Sequence, residues 1–167
     1  MNKLTDIELQ EINDIVDEMR KAYNLPAPIK NLNSFIETLR GKIIKDELLN
    51  AADPGFLVYP DYPYLGFELH IPGGLDGESE CIKLIYLLAQ LIYDKCIGNR
   101  IWNNNKKEAI DEIVLALILP DEVFIKNSGF TKLMKYSQDN ISEIGKSLIK
   151  LKTQSVKTRY LCLLDIN

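Results

Sequence analysis

Glu108, Asp111 and Glu112 stand at i, i+3 and i+4, so on a helix they share one face and could gather a divalent cation. The same three positions also suit a first helical turn, where the dipole favours acids, and no second carboxylate cluster accompanies them. Other reactive groups are sparse. The chain has one histidine, His70, alternating with Leu69 and Ile71 in a strand-like run. Zinc needs three or four partners, so a lone imidazole reads as solvent-facing or hydrogen-bonded. Cys81, Cys96 and Cys162 form no Cys-x-x-Cys pair and have no identifiable catalytic base or His partner in sequence. On one helix Cys81 and Cys96 would lie about 22 Å apart, beyond disulfide reach. We read all three as reduced, mostly buried thiols.

These groups need elements to hold them. Ile7, Ile12, Ile15, Val16 and Met19 sit near helical spacing, with Thr5 or Asp6 as N-cap and Pro26 and Pro28 as the stop. A second helix opens at Asn33 or Ser34 and buries Phe35, Ile36 and Leu39. Residues 42–49 alternate poorly but could form a first strand; 55–60 and 65–72 read better as strands. A Gly-rich loop over 73–77 precedes a long helix that starts near Glu78, is apolar over 82–96 and ends at Gly98 and Asn99. After a polar connection at 103–107, a second apolar helix runs from Glu108 into Leu119-Pro120, where Asp121-Glu122 begins another acidic turn. The expected fold is α+β: a compact, mostly helical domain with a small three-stranded sheet, one domain over 1–167 with a helical C-terminal subregion over 128–167.

Bulk properties fit a small intracellular protein. The 167 residues are 46% hydrophobic, enough to bury a substantial core. The longest apolar runs, 113–119 and 84–89, fall far short of a membrane span, and the N-terminus is acidic and amphipathic rather than signal-like. A cytoplasmic location without a membrane partner is expected. Charge is unevenly placed: residues 126–167 carry +5 and the first 125 carry −9, giving −4 in all. A basic end can meet nucleic acid or an acidic partner, or be a solvated helical face.

Residues 141–148, a turn at 152–154 and residues 155–163 resemble a helix-turn-helix, from which Lys157 and Arg159 could reach phosphates. Val156, Tyr160, Leu161, Leu163 and Leu164 favour a structural hairpin packed on the body instead, and one weakly basic helix offers few phosphate contacts. Tyr59, Tyr62 and Tyr64, interleaved with Pro60 and Pro63, form a stiff amphipathic connection suited to protein recognition, unless a ring or two folds back over the sheet.

Several motifs, in this order, carry a resemblance. They are the Tyr23-Asn24-Leu25-Pro26-Ala27-Pro28-Ile29 opening, the paired strand-like runs, the apolar helix 82–96, the Leu119-Pro120 helix and the closing Ser155-Val156-Lys157-Thr158-Arg159-Tyr160. Together they resemble the ImmA/IrrE group of zinc metallopeptidases, which cut or control helix-turn-helix repressors in phages and mobile elements. The Leu-Pro helix is the most specific element and carries the third zinc ligand in that group. Two further ligands come there from a run like Phe-Thr-x-Ala-His-Glu-Leu-Gly-His, whose histidines share a helix face with a glutamate base between them. The matching run here is 85–93. The resemblance places Ala89 and Tyr93 at the histidine positions, Gln90 at the base and Ala109 at the third ligand.

Alanine cannot bind a metal, a phenol with a pKa of about 10 is a poor neutral-pH zinc ligand, and an amide cannot take a proton from water. What the resemblance then implies is a pseudo-peptidase with no cofactor, acting on a protein partner such as a helix-turn-helix repressor or a host-defence component. The alternatives are a residual peptidase with an unorthodox site at Glu108, Asp111 and Glu112 or at Cys96, and a DNA-binding regulator using Lys157 and Arg159.

Overall fold

The architecture is α+β, four helices with one small mixed sheet, in a computed structural model that describes residues 3–24, 31–59, 66–98, 105–118 and Pro120. The chain divides into two compact units, one built from residues 1–28 and 101–167 and the other from 29–100.

In the first unit, helix α1 (Asp6–Ala22) starts at a capping box. The Thr5 hydroxyl accepts from Glu8 N, and the Glu8 carboxylate accepts from Thr5 N at 2.8 Å, so two otherwise unpaired helix-end donors are satisfied. The helix ends at Tyr23, and Asn24 takes the left-handed conformation (φ 51°) that stops a helix before the prolines that follow. Its buried stripe is Glu8, Ile12, Val16 and Arg20, with Asn13 beside it. Ile7, expected on the apolar face, is 80% exposed. Helix α4 (Lys106–Ile118) packs on α1, and its residues 112–117 are buried without interruption.

In the second unit, α2 (Leu32–Thr38) begins earlier than the sequence suggested. The Asn31 side chain accepts from Ser34 N at 3.1 Å and so caps the helix two or three residues ahead of the expected start. Arg40, at φ 64°, makes the left-handed exit into β1 (Gly41–Asp46). The strands β2 (Phe56–Val58) and β3 (Phe67–Pro72) complete a sheet of order β1-β3-β2. Strand β1 runs parallel to β3 and β2 antiparallel to it. Each strand is shorter than its expected segment. In β1 the cause is visible: the Asp46 carboxylate accepts from Leu48 N at 2.8 Å and the Asp46 carbonyl from Leu49 N, turning the chain.

Phe67, Leu69 and Ile71 alternate onto the inner sheet face and are buried there with Phe35 and Ile36 of α2. Helix α3 (Gly77–Ile92), capped by Asp76, lays Leu84, Leu87, Leu88 and Ile92 on the same core. Lys45–Glu80 at 2.8 Å and Lys83 Nζ to the Asp53 carbonyl at 2.6 Å link α3 to β1 and to the turn before β2. An exposed ion pair is worth about 0–1 kcal/mol, whereas each buried leucine contributes about 1.5–3 kcal/mol. Packing therefore holds α3 in place, and the polar links set its alignment. No helix among the described residues is long and apolar enough to cross a membrane.

Candidate functional site

Ala89 and Gln90 occupy the C-terminal end of α3 and Tyr93 follows it directly, all in the second unit, and Ala109 lies on α4, in the first. Ala89 is fully buried in the run that includes Leu87, Leu88 and Ile92; Gln90 and Tyr93 are half-buried. One helical turn separates Ala89 from Tyr93, whose N–H donates to the carbonyls of Ala89 and Gln90. The backbone changes at this point. From Tyr93 to Ile97 the helix widens into a π turn, closed by Gly98 N–H on the Tyr93 carbonyl at 2.7 Å.

The wider turn moves the inward direction by one residue. Ile92 and Ile97, five apart, are both buried, while Cys96, four from Ile92, is exposed. Cys81, in the first turn of α3 and ahead of its first buried leucine, is exposed as well. The expectation of buried thiols therefore fails at both described cysteines; Cys162 lies outside the described residues.

A methyl group has no lone pair, so Ala89 and Ala109 offer a metal nothing, and the residues at these four positions do not fit a zinc ion. The carboxylates beside Ala109 are engaged elsewhere. Glu108 Oε2 accepts from Leu4 N at 3.1 Å and from Asn105 Nδ2 at 2.5 Å. Glu112 is buried and accepts from Asn13 Nδ2 at 2.6 Å. The bonds to Leu4 and Asn13 fasten α4 to the segment just before α1 and to the middle of that helix. Among the described residues no group of three or more His, Cys, Asp and Glu side chains is arranged to hold a metal.

His70 projects from β3 onto the outer sheet face, its ring stacked on Phe56 at 4.6 Å between centroids. Nε2 lies 3.1 Å from Glu68 Oε2, and Nδ1 lies 3.9 Å from Asp46 Oδ2. The carboxylates address opposite nitrogens of one ring, so the three groups cannot converge on a single cation. With Nε2 bonded and Nδ1 buried, the imidazole is poorly placed to move a substrate proton. The hydrogen-bonded reading of His70 holds. Glu68 was legible as its partner, because residues two apart on a strand share a face; Asp46 was not, because its place depends on the parallel register of β1 against β3.

Tyr59 follows β2 at the surface, 42% exposed, with Lys95 Nζ 4.4 Å above its ring. Partial burial, and then the neighbouring Asp94 carboxylate, push its phenol above the ordinary range. Tyr59 is thus tied to the π turn. Tyr62, Tyr64, Lys157 and Arg159, along with the whole 128–167 subregion, lie outside the described residues. The chain matches no family model, no curated protein and no solved structure.

Proposed function

We propose that this chain is a non-catalytic relative of the ImmA/IrrE metallopeptidases, carried by a phage or mobile element, that binds and modulates a regulatory or host-defence protein in the cytoplasm. One observation supports this reading above the rest. The four positions that would form a zinc site carry two alanines, a glutamine and a tyrosine, and the nearby glutamates serve as structural acceptors for Leu4 and Asn13. Glu108 and Glu112 held in this way are costly to withdraw for catalysis, which weighs against a residual peptidase centred on Glu108, Asp111 and Glu112. The exposed Tyr59 ring beside Lys95 offers an amphipathic contact of the kind protein interfaces favour.

The test is recovery of the tagged full-length chain from nuclease-treated host lysate, with mass spectrometry of what accompanies it and a metal assay of the same sample. One dominant stoichiometric protein, recovered intact, with zinc far below one per chain, is the expected result. Stoichiometric zinc together with chelator-sensitive cleavage would overturn it, and so would recovery of nothing specific.

A further inference from the structure

We draw no further inference here: the strongest candidate, the outer face of the three-stranded sheet around Phe56, Glu68 and His70, is an apolar and acidic surface for which nothing among the described residues shows what covers it.

Discussion

Asn13 Nδ2 donates to Glu112 Oε1 at 2.6 Å, a buried bond that joins α1 to α4 across 99 positions of sequence. The same amide also donates to the Leu9 carbonyl at 2.8 Å, which fixes its orientation. A buried carboxylate needs such donors, since leaving it short of one costs far more than the bond gains on net.

Asn13→Leu is therefore expected to destabilise the first unit by about 1.5–3 kcal/mol, the range for hydrogen bonds to charged groups. Adding Glu112→Leu should recover part of that loss, because it removes the carboxylate that the first change leaves short of a donor. Urea unfolding of both single variants and the double variant reads the coupling. Strict additivity would show that the two side chains do not depend on each other.

Thr5→Ala removes the hydroxyl that caps α1 and should cost about 1 kcal/mol, while Thr5→Ser should cost little. Thermal unfolding followed by circular dichroism would separate the two. Equal losses for both would assign the effect to the methyl group instead of the cap.

Gly55 and Gly74 share positive φ values, 83° and 70°, but not surroundings. A Cβ on Gly55 would stand 2.4 Å from the His70 carbonyl oxygen, whereas one on Gly74 meets nothing within 4 Å. Gly74→Ala carries the backbone strain alone, about 1 kcal/mol, and Gly55→Ala must also push β3 aside. The second variant should be the less stable by at least about 1 kcal/mol in urea unfolding. Equal losses would mean that β3 yields without cost.

Chelation gives a direct reading on the metal question. Prolonged dialysis against EDTA should leave the melting temperature unchanged, because a protein that folds around a metal loses that binding energy when the metal is withdrawn. A fall of several degrees, restored by zinc, would place a metal in the native fold.

Tyr59 predicts an alkaline effect. Its phenol ionises above the ordinary value of 10.0 in the folded chain, through burial first and Asp94 second. The unfolded chain therefore gives up this proton at lower pH than the folded one. The stabilisation is complete below about pH 10 and is lost as pH rises through the folded value. NMR titration of ring-labelled tyrosine should show Asp94→Asn lowering the Tyr59 midpoint while leaving it above 10.0. No movement would remove Asp94 from the cause.

Much of the fold was legible because local chemistry and tertiary packing agree there. The α+β class, the order of elements and the Thr5 cap follow from apolar spacing and a Thr-x-x-Glu box. The inward face of α1 was misread at Ile7 because periodicity counts only apolar residues. Closing the capping box turns the Glu8 side chain inward and leaves Ile7 in water. The exposure of Cys96 was hidden for a different reason: a pattern based on 3.6 residues per turn cannot register a π turn. Within the candidate site, the placement of Ala89 and Tyr93 one turn apart was readable from their spacing. The engagement of Glu112 by Asn13 depends on the pairing of two helices distant in sequence, which no local window contains.

The strand order β1-β3-β2 constrains the order of folding. Strands β1 and β2 are consecutive in the chain, yet each pairs only with β3, Gly41 meeting Phe67 and Phe56 meeting His70. As the chain is synthesised, two strands precede the one that pairs an edge of each. The β2–β3 pairing closes the shorter loop and is favoured to come first, with β1 joining later at the greater entropic cost of a longer closure. Until β3 emerges, β1 and β2 lack their native partner and are exposed to wrong ones.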